Sequence, residues 1–170
     1  MKALILSADH FEDAELLFPY YRLLEEGFDV DVASISNGKI HGKHGYEVAV
    51  DEALQQVDPA HYDLLVLPGG KAPQAVRKEP AALAIAQHFM EAGKIVAAIC
   101  HGPQILASAG VLTGRRATCA PPVAEELKHA GALYEDQEVV VDGKLVTSRR
   151  PADLPAFMRE TLKLLRRPVA

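Results

Sequence analysis

A chain of 170 residues can bury a substantial core as one domain spanning 1–170, and 49% hydrophobic with 24% charged residues is the balance of a globular protein. A formal charge of -5 with no basic run excludes a dedicated nucleic-acid surface, and no apolar run approaches membrane-spanning length. The two cysteines, Cys100 and Cys119, make neither a disulfide framework nor a CxxC zinc pair.

Residues 2–8 read as a short buried strand, and the loop at 9–13 leads into a helix over about 12–26 that Gly27 closes. The apolar core of this opening, 3–6, is too short for a signal peptide; with the free thiols, this points to a cytoplasmic protein. Pro19 inside the helix predicts a kink or a break. Residues 28–34 alternate apolar and acidic side chains, as a strand near a sheet edge does. Asn37-Gly38 signals a turn, 40–50 a short β excursion, and 51–57 a short helix or turn before Asp58-Pro59. A strongly apolar strand at 63–67 stops at Pro68-Gly69-Gly70, and a helix over 80–92 ends at Gly93.

Residues 95–104, IVAAICHGPQ, organise the rest. Five apolar residues, 95–99, make a strand buried on both faces, and Cys100, His101, Gly102 and Pro103 follow at once. Proline is favoured at a helix start, and 104–109 are good helix formers closed by Gly110. The order is strand, Cys, tight turn, helix, which is that of a nucleophile elbow. Such a turn needs small residues two places before and after the nucleophile, and Ala98 and Gly102 meet that need. A helix N-terminus behind the thiol favours thiolate, and the His101 N–H would face an oxyanion formed on the attacked carbon.

Beyond the elbow, 116–119 is a short strand and about 122–129 a helix. Residues 138–141 and 144–147 flank Asp142-Gly143 as a hairpin, and 152–166 is a final amphipathic helix with Pro155 in its first turn. Strand and helix alternate, so the class is α/β with a doubly wound, mainly parallel sheet and helices on both faces. In such sheets the site lies beyond the carboxyl ends of the strands. Three strand ends then converge, bringing residues 9–12, Gly69-Gly70 and Cys100-His101 together.

Glu12 opens the first helix, either as a first-turn acid serving the helix dipole or as a carboxyl set against the Cys100 sulfur. Asp13 and Glu15 read as helix-face charges. Gly69-Gly70 fits an ordinary turn as well as a backbone approach to substrate. His101 is the nearest base, and His44 a second candidate on a loop. Cys119 reads as structural or incidentally exposed, and Arg149-Arg150 as a surface or interface feature. No motif implies a metal or an organic cofactor.

Together AICHGPQ at 98–104, LPGG at 67–70, FEDAEL at 11–16, GKHGY at 42–46 and the stretch 139–160 resemble the PfpI family of the ThiJ/PfpI superfamily, over essentially the whole chain. The resemblance implies a flavodoxin-like sandwich related to class I glutamine amidotransferase domains. It implies Cys100 as nucleophile, Glu12 as its carboxyl partner, His101 as catalytic histidine, and an oxyanion hole from the N–H groups of Gly70 and His101. His44, Gly69 and Gln74 stand as candidate substrate contacts. It also implies a homo-oligomer, a dimer or a dimer-based ring.

The activities implied are glyoxalase or deglycase chemistry on glyoxal, methylglyoxal or their adducts on proteins and peptides, and intracellular proteolysis. Peptidase-like relatives carry a glutamate where this chain has Gln74, and some a tyrosine where it has Ala120. A neutral amide cannot stabilise an imidazolium, so proteolysis is weakened and carbonyl chemistry expected. A redox sensor working through oxidation of Cys100 is the non-enzymatic reading.

Overall fold

The three most apolar runs become the middle of the sheet because only there are both faces covered. In the computed structural model, which describes residues 1–166, these are β1 (Lys2–Leu6), β6 (Leu64–Leu67) and β7 (Ile95–Ile99), buried along almost their whole length. With β2 (Asp29–Ser34), β5 (Glu52–Ala53), β10 (Val140–Asp142) and β11 (Leu145–Ser148) they form a seven-stranded sheet ordered β10-β11-β7-β6-β1-β2-β5. Every pairing is parallel except β10 on β11, the hairpin read at Asp142-Gly143.

Five helices pack directly around this sheet or on one another. α1 (Asp13–Glu25) lies beside α6 (Leu154–Arg166), and α3 (Pro80–Glu91) beside α4 (Pro103–Ala109), which also meets α5 (Ala124–His129). Phe89 on α3 and Phe157 on α6 are fully buried anchors of these layers. The short α2 (Ala72–Val76) follows the β6 end. The excursion at 40–50 is an antiparallel hairpin, β3 (Gly38–His41) with β4 (Glu47–Val50). β8 (Arg116–Ala117) pairs with β9 (Leu133–Tyr134) in a separate parallel ribbon.

Two local expectations need correction. Pro19 does not divide the first helix: α1 runs through it, with Pro19 on the buried face beside Leu16 and Leu23. Residues 51–57, read as a short helix or turn, do contain a 3₁₀ turn, Leu54–Gln56, but open with the edge strand β5, because Ala33 and Ser34 of β2 offer a parallel edge to pair with.

The strand order positions the site. β1 has β2 on one side and β6 on the other, so the direction of winding reverses there and opens a crevice beyond their carboxyl ends. The loop after β1, the glycines after β6 and the turn after β7 all reach it.

Candidate active site

The turn after β7 holds Cys100 at φ 64°, a left-handed conformation that costs a non-glycine residue roughly 1–2 kcal/mol. Hydrogen bonds on both sides maintain it. Cys100 N–H donates to the Ser148 carbonyl at 3.0 Å, its own carbonyl accepts from Ala120 N–H at 2.9 Å, and Gly102 N–H closes the turn on Ile99 at 2.9 Å. Gly102 has to be glycine, since a Cβ there would run into the Leu67 carbonyl oxygen. Ala98, two residues before the cysteine, is completely buried.

The carboxyl that meets the thiol is Glu15, not Glu12. Glu15 is fully buried; its Oε1 accepts the Gly69 N–H at 2.9 Å, and it hydrogen-bonds the Cys100 sulfur. Its other oxygen has no nitrogen or oxygen partner. Burial pushes the Glu15 carboxyl up to about 8 against the opposing Gly69 N–H, with the Glu12 charge adding to the effect and Lys43 countering only a small part of it. Glu12 instead faces the hairpin loop, with Lys43 Nζ 2.6 Å from Oε2 and His44 Nε2 3.5 Å from Oε1. Glu12 is the N-cap of α1, while Glu15 sits in the first turn, where side chains lean back towards the helix start. Gly69 joins the two: its carbonyl accepts from Glu12 N–H at 3.2 Å and its N–H goes to Glu15.

Neither acid after Glu12 is a plain helix-face charge. Asp13 is buried too, and its carboxylate accepts from the N–H groups of His44 and Tyr46 at 3.0 and 3.1 Å, pinning the β3–β4 loop over the site. A signal for Glu15 was present in the sequence. It shares the stripe of Pro19 and Leu23, at four-residue spacing on the apolar face of α1, and an acid in such a stripe is a buried acid.

Around the sulfur, His101 Nδ1 lies 3.3 Å from Sγ, and the N–H groups of Gly70 and His101 are aimed at it. Burial pushes the Cys100 thiol up to about 12, the Glu15 charge pushes the same way, and the two N–H groups oppose them. Two buried acids in contact cannot both ionise easily, because the charge of each opposes ionisation of the other. Burial holds the His101 imidazolium below its usual range, and Lys43 adds to this while Glu126 opposes it. Gly70 adopts φ 80°, and a side chain there would strike the backbone at His10, Phe11 and Glu12.

Other residues singled out in the sequence are placed elsewhere. His44 is exposed on the hairpin loop and touches Glu12 rather than the thiol. Gln74 is exposed on α2, where it lines a cavity of about 600 Å³ with Asp9, His10 and Lys71. Cys119 is completely buried and not incidentally exposed; burial pushes its thiol up to about 12. Arg149 is paired with Asp136 and Asp153. Among the described residues no cluster of three or more His, Cys, Asp or Glu is placed to hold a metal ion, and no helix is long and apolar enough to cross a membrane.

The chain is similar to known proteins over almost its whole length. A model of the DJ-1/PfpI family matches residues 1–164. The chain is 58% identical over 166 residues to "Deglycase TK1284" of Thermococcus kodakarensis, covering 98% of this chain and 100% of that one. It is 44% identical to "Protein/nucleic acid deglycase 2" of Escherichia coli, over 96% of this chain and 97% of that protein. Among solved structures, a two-domain protein of Anabaena variabilis with DJ-1/ThiJ/PfpI-like and ferritin-like domains superposes with a TM-score of 0.95 at 38% identity, covering 96% of this chain and 48% of that one.

Proposed function

The chain belongs to the DJ-1/PfpI family, and from that premise we propose that it is a cysteine-dependent deglycase and glyoxalase, acting on glyoxal and methylglyoxal or their adducts on proteins and peptides. Its similarity to enzymes named deglycases supports the class of reaction. The observation that carries the chemistry is the Cys100 thiol at a strained elbow, set between the buried Glu15 carboxyl and the N–H groups of Gly70 and His101.

The reaction begins when Cys100 Sγ gives its proton to His101 Nδ1, 3.3 Å away, and attacks the aldehyde carbon of methylglyoxal. The oxyanion that develops is held by the Gly70 and His101 N–H groups and becomes the hydroxyl of a hemithioacetal. Glu15 then moves the hydrogen from that carbon to the neighbouring carbonyl carbon through an enediol, giving a lactoyl thioester. A carboxyl that exchanges its proton near neutral pH suits both halves of that transfer. Water cleaves the thioester, releasing lactate and the thiol.

For an adduct the first step differs: the thiolate displaces the amine from the carbon bearing the hydroxyl, the amine leaves with the His101 proton, and the same hemithioacetal results. One intermediate thus serves free dicarbonyl and modified protein. The same reading makes the protein a cytoplasmic homo-oligomer, a dimer or a dimer-based ring, acting without a metal or organic cofactor.

The test is lactate release from methylglyoxal, and from methylglyoxal-treated N-acetyl-lysine, by the protein and its Cys100→Ser variant. Cys100-dependent lactate from both is expected. A folded, reduced protein that releases none from either overturns the reading.

A further inference from the structure

Cys100 and His10 are the two described residues other than glycine with a positive φ, and the elbow accounts only for the first. His10 stands at φ 66°, a conformation that a residue with a Cβ keeps only where its surroundings fix it. Both of its backbone groups are taken. Its N–H donates to the His41 carbonyl at 2.7 Å, and its carbonyl accepts the Lys71 N–H at 2.8 Å. The loop that leads to Glu12 therefore holds His10 exposed, as part of the lining of a separate cavity.

That cavity, of about 600 Å³, lies beyond the carboxyl ends of β1 and β2, where open α/β sheets bind their ligands. None of Cys100, Glu15, Gly70 or His101 lines it. Its lining carries three lysines, Lys39 on β3 and Lys71 and Lys78 flanking α2, against one acid, Asp9. Lys39 is shared with Glu47 at 3.4 Å, and Asp9 Oδ1 is occupied by the His41 N–H at 2.8 Å. Lys71 and Lys78 are exposed and have no ion-pair partner among the described residues. Ile35 and the buried Ile40 add apolar surface.

Unpaired ammonium groups in one concavity attract anions, and the attraction grows with the charge of the ligand. A phosphate ester brings more charge and more acceptor oxygens than a carboxylate, and lysine binds it as a point charge. The cavity is larger than a bare phosphate needs and falls in the range of sites for small organic ligands. We propose that it is a second ligand site, which takes a phosphate monoester of a small organic molecule. Lys71 and Lys78, with His10, hold the phosphate, and Ile35 and Ile40 cover the organic body. The site is independent of the thiol chemistry.

The experiment is calorimetric titration in dilute buffer with AMP and with glucose 1-phosphate, esters that offer Cys100 no aldehyde to attack. Adenosine, methyl glucoside and inorganic phosphate are run beside them. At least one ester is expected to bind with a Kd of about 0.1–1 mM, and its unphosphorylated parent and inorganic phosphate at least about tenfold more weakly. The tighter ester identifies the source as a nucleotide or a sugar phosphate. Lys71→Gln with Lys78→Gln should weaken binding by about tenfold or more. Lys144→Gln with Lys163→Gln removes the same charge from exposed positions outside the cavity, and should change it by less than about twofold. The His10 imidazole NMR signal, assigned by its loss in His10→Gln, should move on saturation. Absence of binding by both esters, equal weakening by the two lysine pairs, or an unmoved His10 signal overturns the inference. Inorganic phosphate bound as tightly as the esters overturns it too. Because binding needs no turnover, a wild type that releases no lactate would sink the proposed function and leave this result readable.

Discussion

Glu12 and Glu15 stand three residues apart at the start of one helix, and the structure gives them opposite surroundings. Glu12 is covered by a loop, and its charge is paired with the half-exposed Lys43 at 2.6 Å. Glu15 is buried with one N–H and a thiol for company. The first arrangement anchors a loop; the second creates an acid that holds its proton to about 8. Proximity in sequence to the end of β1 is therefore a poor guide to which carboxyl meets the thiol. The absence of a neutralising cation, combined with burial, is the better one.

The largest expected break in this comparison is Glu15→Gln, which keeps the shape but cannot move a proton. Turnover of methylglyoxal should fall by about 10²–10⁴-fold, as loss of a general acid–base does, measured as kcat with the thiol titrated to confirm that Cys100 is intact. Next comes Gly69→Ala. A Cβ there would stand 2.5 Å from Glu15 Oε1 and 2.7 Å from Cys100 Cβ, driving the pair apart. A displacement of that kind is expected to lower kcat by about 10²-fold with the fold retained by circular dichroism.

The same carboxyl makes stability depend on pH. Unfolded, Glu15 gives up its proton near 4.5; folded, it keeps it to about 8. Across that window the unfolded chain binds fewer protons than the folded one, so this group's contribution is fully present below 4.5 and is lost as pH rises through about 8. The loss amounts to roughly 1.4 kcal/mol per pH unit at most. Urea unfolding of the wild type and Glu15→Gln over that range should show a flatter curve for the variant, and parallel curves would refute the burial argument. Smallest of all is Glu12→Gln, which releases Lys43. A change of only about two- to fivefold in kcat/KM is expected, in keeping with the modest worth of a half-exposed ion pair. A loss as large as that of Glu15→Gln would erase the distinction between the two acids.

The elbow was legible because it is local. Apolar 95–99, a cysteine, a glycine and Pro103 specify strand, turn and helix within ten residues, and Cys100 at φ 64° follows from closing that turn. The burial of the central strands was legible from their apolar runs, whereas the strand order was not. Glu15 was not legible from its position near the helix start, where an acid usually serves the dipole. Only its alignment with Pro19 and Leu23 distinguished it.

The alternation of apolar runs, turn residues and helix formers is enough to settle class, strand identity and the elbow turn, because hydrogen bonding and burial of a strand or turn depend on neighbours along the chain. Which carboxyl meets the sulfur and which cysteine stays sealed in the core depend on how helices rotate and dock on the sheet. Successive helical side chains point about 100° apart. Residues three apart therefore differ in direction by only about 60°, and only packing in three dimensions decides which of two such acids lies under a loop and which against a thiol.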